Sequence, residues 1–210
     1  MKKYKLGKRE GNDLCRVIAL RDFADVKKGD IGGRIQSKEN LSHEGDAWVY
    51  GDAQVSGDAQ VSGDALVSGD ALVSGDALVY GDARVSGNAR VSGNALVSGN
   101  ARVSGNARVS GDALVSGDAL VSGDARVSGN ARVSGNALVS GNALVTRGPI
   151  NVIMKPFSIT ITDNHVQVGC ELLRKDHLAK DGLAAVTKHK VDKKTVAKYR
   201  AIIKALVMAN

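Results

Sequence analysis

Gly45-Asp46-Ala47-Trp48-Val49-Tyr50 opens a run of six-residue units that closes with Gly141-Asn142-Ala143-Leu144-Val145-Thr146. Seventeen copies of Gly-(Asp/Asn)-Ala-x-Val-(Ser/Tyr/Thr) follow one another without an insertion. A period of six is too short for a helical repeat and belongs with the β-helix repeats. In extended backbone, residues two apart share a face. Ala and Val of each unit therefore point inward, and the variable residue between them (Trp, Gln, Leu or Arg) points out. Gly followed by Asp or Asn supplies the bend, because these residues tolerate left-handed backbone angles. Each hexad reads as a short strand and a corner, and the chain as an all-β solenoid. An interior of alanine and valine buries little per residue, so pairing between stacked coils must hold the column.

The aliphatic residue followed four positions on by a small one, with Gly and Asp just before it, is seen in Val49-Tyr50-Gly51-Asp52-Ala53 and its successors. In this the run resembles the hexapeptide-repeat superfamily. The resemblance implies a left-handed parallel β-helix with triangular coils of three hexads, here five full coils and two sides of a sixth. At a strand spacing of ~4.8 Å the column is roughly 25–30 Å long. Arg16 to Phe23, Val26 to Gly33 and Asn40 to Tyr50 also resemble the opening of a hexapeptide-repeat group found in bacteria and in phages or prophages, for which no activity is established. That group usually carries an aromatic after Gly-Gly, where this chain has Arg34. The resemblance implies the same architecture and a phage or prophage origin.

The column is flanked by two segments, giving an N-terminal cap (1–44), the β-helix (45–146) and a C-terminal β-hairpin plus helical cap or oligomerisation segment (147–210). In the first, Arg16 to Leu20 reads as a strand, Asp25 to Gly33 has turn chemistry, and Ile31, Ile35 and Leu41 read as inward positions of degenerate coils. In the last, Arg147-Gly148-Pro149 breaks the period, since proline donates nothing to a ladder. Phe157 to Thr162 and His165 to Cys170 alternate around Asp163-Asn164, as a hairpin does, and this hairpin reads as closing the end of the column. Asp176 and Asp192 are positioned to cap two helices, the second carrying Val196, Tyr199, Ile202, Ile203 and Leu206 on one side.

Net charge is +7 in 210 residues, unevenly distributed. Residues 45–146 hold 6 basic and 10 acidic side chains, whereas residues 147–210 hold 12 and 5. Cys15 and Cys170 make no disulfide framework, which points to a reducing cytoplasm, the host cell's if the chain is phage-encoded. Met1 to Lys5 lacks the apolar stretch of a signal peptide. No run is apolar enough to span a bilayer, and aromatics are too sparse to stack single-stranded nucleic acid.

With three hexads per coil, every third variable residue stacks on one face. The first face shows Trp48, Leu66, Arg84, Arg102, Leu120 and Leu138. The second shows Gln54, Leu72, Arg90, Arg108, Arg126 and Leu144. The third shows Gln60, Leu78, Leu96, Leu114 and Arg132. The leucine ladder Leu78, Leu96 and Leu114 is an exposed apolar strip suited to self-association as a dimer or trimer, together with Tyr199, Ile203 and Leu206 of the last helix. The plain alternative is repeat filling under a cap. The arginine ladder Arg90, Arg108 and Arg126 suits phosphates or carboxylates of a partner. Its plain alternative is pairing with the corner aspartates.

Acyltransferases and γ-class carbonic anhydrases of the superfamily use a histidine base or a three-histidine zinc. The seventeen hexads contain no histidine and no cysteine; the four histidines are His43, His165, His177 and His189, all in the flanks. His43 precedes the first hexad and reads as a cap residue, and His165 as exposed. No metal site, cofactor or catalytic residue is expected. The reading is a non-enzymatic scaffold that oligomerises and binds a host or viral macromolecule, nucleic acid being a weak candidate. The alternative is an acyltransferase-like enzyme using a flank histidine such as His43.

Overall fold

The structure, a computed structural model, describes residues 2–147, 150–152, 159–168, 171–174 and 201. Within them the chain is an all-β parallel solenoid of about six turns. Three strands precede the hexads: β1 (Tyr4–Arg9), β2 (Cys15–Ala19) and β3 (Ile31–Ile35). The hexads then supply one two-residue strand each, from β4 (Trp48–Val49) to β20 (Leu144–Val145), in repeat order. Strands eighteen residues apart pair in parallel, so three sheets run the length of the column. Every hexad alanine and valine is at most 1% exposed.

The corner is made by glycine. Repeat glycines lie at φ +59 to +70, while none of the corner Asp or Asn residues has positive φ. The left-handed angle is therefore carried by Gly alone, and stacking tightens the demand. A Cβ on Gly75 would lie 3.0 Å from the backbone nitrogen of Gly93 below it.

Backbone bonds join each coil to the next, as Leu96 N–H to Ala113 O (2.9 Å) and Ser98 N–H to Val115 O (2.9 Å). At the first and last coils the backbone groups that face no further coil must find other partners. Segments outside the hexads supply them. At the N-terminal end Lys3 Nζ donates to Gly45 O (3.1 Å) and Ala47 O (2.8 Å), Arg34 N–H to Ala53 O and Gln36 N–H to Val55 O, while Gln36 Oε1 accepts the N–H of Gly57 (2.7 Å). Asn40 Nδ2 donates to Gly57 O and Ala59 O, both at 2.8 Å. At the other end, Asn164 Oδ1 takes the N–H of Leu144 (2.8 Å), Asp163 Oδ2 takes that of Thr146 (2.7 Å), and the Asp163 N–H donates to Leu144 O (2.9 Å). Asp163 and Asn164 are the turn of a hairpin between β22 (Ile159–Ile161) and β23 (His165–Val168), flanked by β21 (Ile150–Val152) and β24 (Glu171–Arg174) in a four-stranded antiparallel sheet.

Several single-residue expectations change. Trp48 does point out of the column, but it is 1% exposed. The N-terminal segment lies over it, with Phe23 and Tyr4 edge-on to the indole at 5.3 and 6.3 Å. Ile35 and Leu41 are buried inward residues, aligned over Val55 and Val61. Ile31 is 69% exposed instead. A register shift between Arg16 and Ile18 turns it out, and Gly32 and Gly33 take the packed positions. A Cβ on Gly32 would fall 2.4 Å from Val49 O, and one on Gly33 2.5 Å from the Val49 side chain. His165 is buried, because β23 is an inner strand of the terminal sheet, between β22 and β24. The two helices expected near the C-terminal end, with Tyr199, Ile203 and Leu206, fall outside the described residues; Ala201 alone is described there, and it is helical.

Lys3 is fully buried, its ammonium 5.1 Å from the Phe23 ring centre. Burial brings its pKa down from 10.5 to about 8. Between those values the unfolded chain keeps a proton that the folded chain has shed, so folding stability rises with pH across that window. The neutral amine still has two protons for the two carbonyls. Urea unfolding from pH 8 to 10 is expected to show the native chain gaining stability relative to Lys3→Met. A gap between the two that stays constant with pH would refute this.

Candidate functional site

The strand pairing places the outward side chains in register. On the second face Leu72 aligns with Arg90, Arg90 with Arg108, Arg108 with Arg126 and Arg126 with Leu144. On the third face Gln60, Leu78, Leu96, Leu114 and Arg132 form one unbroken row. The two candidate ladders are therefore real rows on neighbouring sheets, and the structure does not bring them onto a common face.

Arg90, Arg108 and Arg126 are exposed. None of them makes an ion pair among the described residues, so the corner aspartates do not neutralise them. The corner that separates Arg84 from Arg90 is Asn88, and the one that separates Arg102 from Arg108 is Asn106. Asn88 Nδ2 donates to Asn106 Oδ1 at 3.2 Å. Four arginines thus flank a neutral edge. Aspartates stack directly in the first coils, as Asp46 over Asp64, and asparagine takes over in the middle of each corner row. Asn94, Asn100 and Asn106 donate to Asp112, Asp118 and Asp124 at 2.8, 2.9 and 2.9 Å, the last of these on the same edge as Asn88.

Arg34 heads the second face in register with Gln54. It forms a cluster with Glu10 (2.7 Å) and Asp52 (2.8 Å), and Arg16 reaches the same Asp52 oxygen at 2.8 Å. The Arg34 and Arg16 guanidiniums hold the Asp52 carboxyl below the usual carboxylate range. This is a solvent-facing clamp between the N-terminal segment and the first coil.

On the third face Leu78 is 38% exposed, and Tyr80 beside it is 41% exposed. Leu96 and Leu114 are half-buried. At the N-terminal end of that face a cleft of about 310 Å³ is lined by residues that include Lys38, Glu39, Ser42, His43 and Gln60.

His43 stacks on Tyr4, with ring centres 4.2 Å apart. Its Nδ1 accepts the backbone N–H of Lys3 at 3.3 Å. Burial, Lys3 and Lys2 lower its pKa, which favours the neutral ring, and a neutral ring that accepts through Nδ1 holds its proton on Nε2. His177 and His189 lie outside the described residues. Among the described residues no group of three His, Cys, Asp or Glu is placed to hold a metal ion. No helix among them is long and apolar enough to cross a membrane.

Reading the sequence placed the Asp163-Asn164 hairpin at the end of the column, but it did not anticipate Lys3 and Asn40 as closing residues. A lysine and an asparagine in an irregular segment carry no periodic mark.

Comparison with known proteins agrees with the fold. The family described as YdcK Beta solenoid repeat matches residues 59–75, 83–99, 89–105, 95–111, 101–117, 107–123 and 125–140, all within the hexad run. No curated protein matches the chain.

Proposed function

We propose that this β-solenoid repeat protein is a non-enzymatic scaffold, phage- or prophage-encoded and acting in the host cytoplasm, that self-associates and holds an anionic host or viral macromolecule against its second face. The observation that carries the reading is the in-register row Arg90, Arg108 and Arg126, exposed and without an ion pair among the described residues. Its guanidiniums repeat at ~4.8 Å on a rigid sheet, and guanidinium is the side chain best matched to phosphate and carboxylate. The neutral Asn88–Asn106 edge extends the positive surface to Arg84 and Arg102. The left-handed, triangular form of the coil and the phage origin rest on the likeness of Val49 to Ala53 and of the opening segment to the hexapeptide-repeat proteins. The third-face leucines supply the self-association surface.

Affinity capture from host lysate tests the reading. The native chain is expected to retain a macromolecule that salt elutes, and Arg90→Glu/Arg108→Glu/Arg126→Glu to retain on the order of tenfold less. Equal capture by both chains would remove the ladder from the account. Micromolar binding of coenzyme A, lost in His43→Ala, would overturn the non-enzymatic reading.

A further inference from the structure

Taken rung by rung, the third face is symmetric in its leucines and asymmetric in its charge. The first rung is Gln60 between corners Asp58 and Asp64. The second is Leu78 between Asp76 and Asp82. The third is Leu96 between Asn94 and Asn100. The fourth is Leu114 between Asp112 and Asp118, and the fifth is Arg132 between Asn130 and Asn136. Leu96 is thus the centre of the row, with a leucine on each side. One end is acidic and the other basic.

We propose that two copies of the chain pack face to face and antiparallel through this row. Leu96 of each copy then lies on the two-fold axis, Leu78 of one meets Leu114 of the other, and Arg132 of each is set against the acidic rung of its mate. The proposal rests on the self-association inferred above and adds its orientation.

Charge selects the orientation. A parallel pair, or a ring of parallel copies, sets every rung against itself. Arg132 then faces Arg132, and Asp58 and Asp64 face the same two carboxylates. Like charges placed opposite one another oppose association. Inverting one copy replaces both contacts with Arg132 against Asp58 and Asp64, flanked by Asn130 and Asn136. The middle rung meets itself in either case, and its corners are Asn94 and Asn100, which carry no charge. The second and fourth rungs are acidic at their corners in both arrangements and do not discriminate. The polarity extends beyond this face. Residues 45–83 hold seven aspartates and no lysine or arginine, whereas residues 84–146 hold six arginines and three aspartates.

Two further observations fit a mate at this surface. Among the described residues three large hydrophobic side chains are exposed, and two of them, Leu78 and Tyr80, belong to the second rung. The cleft beside Gln60 opens on the rung where the mate's Arg132 arrives, and it contributes the Glu39 carboxylate. Lys38 lies 3.8 Å from that carboxylate and shares it.

The test uses the full chain with Cys15→Ser and Cys170→Ser, and single cysteines introduced on the row. Light scattering is expected to report a dimer. Facing sheets pack ~10 Å apart, beyond the reach of a direct disulfide, so a short bismaleimide is the cross-linker. Leu96→Cys alone cross-links. Leu78→Cys alone does so poorly, because its two copies are displaced along the column by a further two rungs, roughly 10 Å. A mixture of Leu78→Cys and Leu114→Cys chains gives the mixed cross-linked product. Arg132→Glu weakens the dimer on the order of tenfold, and Asp58→Lys/Asp64→Lys in the same chain restores it. Self-cross-linking of Leu78→Cys with no mixed product would overturn the antiparallel orientation and leave self-association standing. A monomer at every concentration, with the Leu78→Cys thiol shielded from maleimide, would show the row covered by the chain's own segment and would overturn both.

Discussion

Replacing Asn40 by alanine is expected to cost ~4 kcal/mol of folding stability, since buried polar groups left unpaired cost about 1–3 kcal/mol each. Asn40 is fully buried and uses its whole amide. Its Nδ2 donates to Gly57 O and Ala59 O, and its Oδ1 accepts from Ser37 N–H (2.8 Å) and Gln36 N–H (3.1 Å). Alanine removes these four bonds, and a longer one from Ser37 Oγ (3.4 Å), at the end of the column, where the first-coil carbonyls have no coil above them. Asn40→Asp keeps the acceptor and points a carboxylate at two carbonyl oxygens, so it is expected to be worse than alanine. Chemical unfolding of the two variants checks the ranking. A loss below ~1 kcal/mol for Asn40→Ala would show that water replaces the amide without penalty. A solenoid is held by nearest-neighbour contacts, so hydrogen exchange should report fraying of the first coil before the last.

Putting a carboxyl inside the column is the other large effect. Val97 is fully buried, stacked between Val79 and Val115. The side chains stacked against it are valines, which offer the Asp of Val97→Asp no donor. An unpaired buried polar group costs several kcal/mol, and an ionised one far more, so the carboxyl stays neutral. Val97→Asp is expected to unfold the middle of the solenoid at pH 7 and to recover partly at pH 4. The informative control is a much larger edit. Excising Gly93 to Ser110 removes eighteen residues, one whole coil, and joins Ser92 to Gly111 in phase. Each remaining strand then pairs with an equivalent one, and the only loss is one coil's interface. The excised chain should remain cooperatively folded while the single substitution does not. Circular dichroism and thermal melts of both chains decide the point; a folded Val97→Asp chain with native melting would mean that the interior is wet.

Asn40 and Val97 also show where sequence reading works. Val97 is one of seventeen equivalent positions, and its burial follows from alternation alone. Asn40 occurs once, in a segment with no period, and becomes a closing residue only when the chain passes over the first coil. Trp48 combines the two cases. Its outward direction is set by its place in the hexad, and its burial by Phe23 and Tyr4 arriving from more than twenty residues away in sequence. His165 is similar: its place beside a hairpin turn is readable, and its burial depends on the strands that flank β23 on both sides.

The same division holds for the candidate surfaces. The eighteen-residue spacing that aligns Arg90, Arg108 and Arg126, and Leu78, Leu96 and Leu114, is written in the repeat. That the arginines leave the corner aspartates unpaired is a matter of side-chain reach, which no spacing records.

By itself, then, the amino-acid order determined the all-β solenoid, its inward alanines and valines, the rows on its faces and the segregation of charge along it. These are local and periodic, repeated until no single exception could shift the register. The tertiary structure alone decided what closes each end, which outward side chains become buried and which charges stay free. Those outcomes depend on contacts made once, between distant segments, at the two ends of the column where a coil has no neighbour to pair with.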